Sequence, residues 1–135
     1  MNVLLDTNVV LDVLLQREEW LEDAQPILDA ANAGEITCCM PASTLTDIFY
    51  IARRSLGWTS ARNVIRQCLD DLVVLSVTFG LMEQGYLRPE QDFEDSVIIA
   101  IALHYGLDAI VTRDEALSST EIAILSPAEL STRLA

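Results

Sequence analysis

The stretch "DFEDSVIIAIALHYGLDAIVT", Asp92–Thr112, holds two apolar runs of different kinds, one directly after the other. Val97–Leu103 is apolar around every face of a helix, and such a helix belongs in the middle of a fold, covered on all sides. Asp92 is placed to cap its start, the helix is expected to run from Phe93 to Tyr105, and Gly106 is its stop signal. Ala109–Thr112 follows as a short strand, apolar up to Thr112. Short apolar strands alternating with helices imply an α/β fold.

The same alternation extends in both directions. Strands are expected at Asn2–Leu5, Ile36–Met40 (closed by Pro41), Leu72–Val77 and Ile122–Leu125. Helices are expected at Val9–Gln16 with Asn8 near its N-cap, and at Trp20–Ala33 ended by Gly34, with a kink or break at Pro26. Ser43 is read as the cap of a helix reaching Leu56 and Gly57, and Thr59 or Ser60 as the start of one reaching Leu69. Phe79–Leu87 is a further helix. In "SPAEL", Ser126 at the N-cap, Pro127 at N1 and Glu129 at N3 spell a capping box. The expectation is one domain over residues 1–135, an α/β/α sandwich with a mostly parallel sheet of about five strands.

Composition narrows the chemistry. With 135 residues, half of them apolar, the chain can bury a core. No apolar run approaches the roughly 18 residues that span a bilayer, and no basic segment leads into a long apolar one, so a cytoplasmic protein without membrane attachment is expected. Cys38 and Cys39 are neighbours in a strand and point to opposite faces, so with Cys68 they read as small buried hydrophobes. Acidic residues outnumber basic ones 21 to 8, and all eight basic residues are arginine. Without lysine, P-loop phosphate binding and Schiff-base chemistry are excluded. The acidity suits a protein that holds divalent cations or docks a basic partner, and equally a solvated surface.

Four aspartates fall where a parallel sheet binds its ligands, beyond the carboxyl ends of the strands. Asp6 ends the first strand and Asp114 follows the fourth. Asp47 lies in the helix after the second strand, and Asp95 in the first turn of the buried helix. Local roles account for some of them: Asp92 and Asp95 suit a helix start, Asp47 suits a helix dipole, and Asp114 suits a turn or the cap of a short helix through Leu117. Asp6 is different, because a carboxylate ending an apolar strand gains nothing for the core. If the first and fourth strands are neighbours, the four converge. Carboxylates about 4 Å apart repel by roughly 1–4 kcal/mol, so the cluster would take up protons or a hard cation such as Mg²⁺ or Mn²⁺.

Taken together, "VLLDTNVVLDVLL", "PASTLTDIFYIARR", "DFEDSVIIAIALHYGLDAIVTRD" and "ILSPAEL" resemble the PIN-domain family, which includes the toxin ribonucleases of toxin–antitoxin pairs. The resemblance implies a metal-dependent endoribonuclease with Asp6, Asp47, Asp95 and Asp114 as its acids. It implies that Asp6, Asp95 and Asp114 hold one or two Mg²⁺ or Mn²⁺ ions while Asp47 completes the shell or orients the attacking water. Asn8, Thr112 and Asp92 would support them, and Arg53, Arg54 and Arg113 would hold the phosphate backbone. RNA as substrate, an antitoxin protein as partner and a homodimer follow from the same likeness. The alternative is a PIN-fold nucleic-acid or protein-binding module with weak or no catalysis, since many members carry Glu where Asp47 stands. His104, roughly 13 Å along the helix from Asp95, is read as structural.

Overall fold

The computed structural model describes residues 1–88 and 92–135. Five strands, β1 (Asn2–Leu5), β2 (Thr37–Pro41), β3 (Val73–Leu75), β4 (Ala109–Val111) and β5 (Ala123–Leu125), form one wholly parallel sheet in the order β3-β2-β1-β4-β5. β1 is central: Val3 is in register with Cys38 on one side and Ala109 on the other. The order therefore reverses between β1 and β4, which is where such sheets open a ligand crevice.

Seven helices cover the sheet: α1 (Thr7–Leu14), α2 (Glu18–Asn32), α3 (Leu45–Leu56), α4 (Trp58–Asp71), α5 (Phe79–Tyr86), α6 (Phe93–His104) and α7 (Pro127–Leu134). Alternate strand residues enter two separate cores. Val3, Leu5, Cys38, Met40, Ala109 and Val111 pack with residues of α1, α2, α3, α4 and α7. Leu4, Cys39 and Ile110 pack against Leu81 of α5 and the buried length of α6. Cys38 and Cys39 thus face opposite layers. Burial pushes the Cys38 thiol up to about 12 and that of Cys68 to about 11, so both behave as hydrophobes.

The helix starts differ from the sequence expectation. Asp6, not Asn8, is the N-cap of α1, because its carboxylate reaches the Thr7 N–H. Ser43 caps nothing: residues Ala42–Thr44 form a 3₁₀ turn, in which the Thr44 hydroxyl donates to the Pro41 carbonyl. α2 begins at Glu18 and runs through Pro26 without a break. The carbonyl left without a partner there belongs to Glu22, which is exposed, so water can serve it. The capping box of Ser126 and Glu129 forms as read.

α5 and α6 meet at Gly85, where an added Cβ would lie 2.5 Å from Val97 Cγ2 and 2.9 Å from its Cα. The backbone contact cannot be relieved by rotating a side chain. Gly85→Ala is expected to cost about 2 kcal/mol, even after the roughly 1 kcal/mol that alanine gains in helix propensity. A urea-denaturation midpoint equal to wild type would contradict this.

Candidate functional site

The site is built around one hydroxyl. Asp6 leaves the end of β1, and its backbone N–H donates to the Val111 carbonyl of β4. Its Oδ1 accepts from the Thr7 N–H at 2.8 Å, and its Oδ2 accepts from Thr112 Oγ1 at 2.7 Å. Thr112 is buried, and its Oγ1 also accepts from the Asp114 N–H at 3.0 Å. One threonine therefore ties the carboxylate after β1 to the backbone of the acid after β4. The segment continues as a turn, with the Ala116 N–H donating to Asp114 Oδ1 at 2.9 Å, and no helix runs through Leu117.

α6 brings the remaining acids. Asp92 caps its first turn by accepting from the Asp95 N–H. Desolvation, then the charges of Asp114, Asp92 and Asp6, raise the Asp95 carboxyl above the ordinary aspartate range. Glu94 is raised likewise, first by desolvation and then by Asp6, Asp92, Asp95 and Asp47. These mutual effects place Asp6, Asp47, Asp92, Glu94, Asp95 and Asp114 within one electrostatic neighbourhood. Asp47 joins from the exposed first turn of α3. Among the described residues, none of the four strand-end aspartates is ion-paired with an arginine.

The donor set is all oxygen: carboxylates plus a hydroxyl. That chemistry fits Mg²⁺ or Mn²⁺ and does not fit a soft metal. Among the described residues no three His, Cys, Asp or Glu side chains already converge at coordinating distance, so the ring is open.

Several other residues sit differently from expectation. Asn8 is exposed in the first turn of α1, and the side chain that fixes Asp6 is Thr112. Arg113 is turned away from the acids. Its Nε donates to Asp12 Oδ2 at 2.7 Å and its Nη2 to Asp12 Oδ1 at 3.2 Å, while its guanidinium lies 4.1 Å over the Trp20 ring. Arg17 adds a 3.3 Å contact to the same fully buried carboxylate. Arg113 is thus engaged by Asp12 and Trp20 beside the site. Arg53 and Arg54 are exposed in the last turn of α3. His104 lies exposed at the far end of α6, edge-on to Tyr105.

Sequence reasoning missed Glu94 and Asp12. Glu94 was visible as the middle acid of "DFED" at a helix start. Asp12 was visible as a carboxylate interrupting the apolar face of α1.

Comparison with known proteins agrees with this architecture. Solved structures with the same fold include VapBC2 from Rickettsia felis bound to a DNA fragment from its promoter, at 15% identity and TM-score 0.71, covering 93% of this chain and 98% of that one. A second is VapC20 from Mycobacterium tuberculosis, a sarcin–ricin loop cleaving toxin, at 16% identity and TM-score 0.71, covering 90% and 96%. A third is DNA-bound VapBC from Salmonella typhimurium, at 22% identity and TM-score 0.67, covering 94% and 98%. A search of curated proteins by sequence returned no match. The family model described as the PIN domain matches residues 2–116, a span that takes in all four strand-end aspartates and the Thr112 that joins two of them. This chain belongs to the PIN-domain family.

Proposed function

We propose that this protein is a Mg²⁺- or Mn²⁺-dependent endoribonuclease that acts as the toxin of a toxin–antitoxin pair. The observation that carries the reading is the Thr112 hydroxyl, which holds Asp6 and the Asp114 backbone together beside the mutually repelling Asp95 and Glu94. Six acids in one electrostatic neighbourhood, with Asp6, Asp47, Asp95 and Asp114 free of ion pairs among the described residues, make a poor structural device and a good cation cradle. PIN-domain membership supports hydrolysis of a phosphodiester, and the sarcin–ricin loop cleaved by VapC20 makes RNA the substrate to test first.

Asp6, Asp95 and Asp114 would hold the metal, which when bound supplies an activated water and charge neutralisation at phosphorus. The chain's own work is to orient. Thr112 fixes the Asp6 rotamer, the Ala116 N–H fixes Asp114, and Asp47 and Glu94 remain at the edge to position a water or accept its proton. Removing the metal should remove the activity. Incubation of the purified protein with single-stranded and structured RNA is expected to give cleavage with Mn²⁺ or Mg²⁺ and none with excess EDTA. Cleavage that survives EDTA would overturn the reading.

The partner would be an antitoxin whose toxin-binding segment is basic, complementary to the 21 acidic residues. A homodimer is supported by α5, where Phe79, Met82 and Tyr86 share one exposed face at helical spacing, Phe79 at 80% and Tyr86 at 75%. Tyr86→Glu is expected to convert a dimer into a monomer in light scattering, and an unchanged mass would reject this face. Among the described residues no helix is long and apolar enough to cross a membrane. Action in the cytoplasm belongs to the same proposal.

A further inference from the structure

Residues 48–69 contain four of the eight arginines, Arg53, Arg54, Arg62 and Arg66, and no acid, in a chain where acids outnumber bases 21 to 8. They make up the end of α3 and most of α4, joined at Gly57. All four arginines are exposed. The basic residues elsewhere are largely committed: Arg17 and Arg113 to Asp12, and Arg88 to Glu121. Within the group, Arg66 makes one solvent-exposed contact to Asp70 at 3.9 Å, too weak to hold it there.

Between α3 and α4 runs an open groove of about 800 Å³, whose lining includes Phe49, Trp58, Arg62, Ile65, Arg66 and Leu69. Trp58 stands edge-on to Phe49 at 5.5 Å and is still 58% exposed. Tyr50 is 54% exposed, with the Arg54 guanidinium 5.8 Å from its ring. Helical spacing sets Thr46, Phe49 and Arg53 in one row of α3, and Asp47, Tyr50 and Arg54 in the adjacent row. The first of these rows lends Thr46 and Phe49 to the groove, and the second lies outside it.

We propose that the α3–α4 groove binds single-stranded RNA, an inference that rests on the ribonuclease reading and deepens it. An unpaired base stacks on Trp58, while Arg62 and Arg66 hold successive phosphates. Half-exposed rings beside arginines suit a polyanion with flat faces. The acid-free stretch removes the local repulsion that the rest of this surface would impose on a phosphate chain.

The test is fluorescence anisotropy of a labelled single-stranded 12-mer RNA with the full chain in EDTA, alongside cleavage in Mn²⁺. Arg62→Gln/Arg66→Gln is expected to raise Kd about tenfold and to reduce the slope of log Kd against log salt by about 1.4, the value for two phosphates on a single strand. Trp58→Ala is expected to raise Kd about tenfold and Trp58→Phe much less, the conservative variant keeping the packing on Phe49. At saturating RNA, kcat should stay at the wild-type value in all three. Wild-type affinity and salt slope in the double mutant and in Trp58→Ala would overturn the proposal, and if cleavage continued the ribonuclease reading would survive it. The same holds if these variants bind RNA normally and lose only a protein partner. Weakened binding by the variants, with no cleavage by wild type in either metal, would uphold the groove and sink the ribonuclease reading.

Discussion

Asparagine in place of Asp95 is expected to reduce RNA cleavage by at least about a hundredfold while leaving the metal-free protein as stable as wild type or more so. The first half follows from the donor set. An amide keeps one oxygen but loses the charge that binds a hard cation and offsets the charge developing at phosphorus. The second half follows from the repulsion at the site. Asp95 ionises above the ordinary aspartate range because burial and the charges of Asp114, Asp92 and Asp6 oppose its ionised form. A carboxyl whose pKa is raised by folding favours the folded state less as pH climbs through that range, so a neutral side chain removes a destabilising charge. A residue kept for stability would show the opposite pairing. Asp6→Asn should lose activity to the same degree, but with some loss of stability, since Asp6 also caps α1 and accepts from Thr112. Activity near wild type in both variants would mean that these aspartates do not carry the cleavage. Thr112→Val offers a graded control: it keeps all four aspartates, frees Asp6 and is expected to cost about tenfold in activity.

Arg113→Ala is expected to cost about 3–5 kcal/mol in urea denaturation, a large share of the roughly 5–15 kcal/mol that a domain of this size has. Asp12 is fully buried, and its two carboxylate oxygens are met by Arg113 at 2.7 and 3.2 Å and by Arg17 at 3.3 Å. Without Arg113 a buried carboxylate is left with one longer contact, and Trp20 loses the cation over its ring. Arg113→Lys should recover only part, because an ammonium cannot meet both oxygens and cover the indole together. A loss under about 1 kcal/mol in the alanine variant would mean that Asp12 finds water, contrary to its burial.

Much of the architecture was readable because its signals are local. The buried α6, the apolar β4 and the capping box of α7 each lie within a dozen residues of sequence and depend on periodicity or capping chemistry alone. The convergence of Asp6 and Asp114 needed one further step, the adjacency of β1 and β4, which the sheet order supplies. Pairings across the chain left no local trace. Asp12 and Arg113 are 101 residues apart, so nothing near Arg113 in the sequence announced the carboxylate it meets. Asn8 was favoured as a cap for its residue type, but the preceding Asp6 already has extended backbone and a carboxylate in reach of Thr7. Glu94 escaped notice because the cap of Asp92 and the position of Asp95 already explained the acids around it.

The central place of β1 has a consequence for biosynthesis. β1 leaves the ribosome before the other four strands of the sheet, yet one of its two neighbours is β4, and the Asp6–Thr112 bond spans 106 residues. A nascent chain that has emerged only through α5 can pair β1 with β2 and β3 and hold Asp6 and Asp47, but it has neither Asp95, Asp114 nor the threonine that sets Asp6. The acid cluster therefore does not exist in any such fragment. It forms when α6 and β4 close over the open edge of β1, a late and long-range step of the kind that slows folding. On the proposed ribonuclease reading, cleavage would have to wait until β4 and Asp114 have emerged and closed on β1.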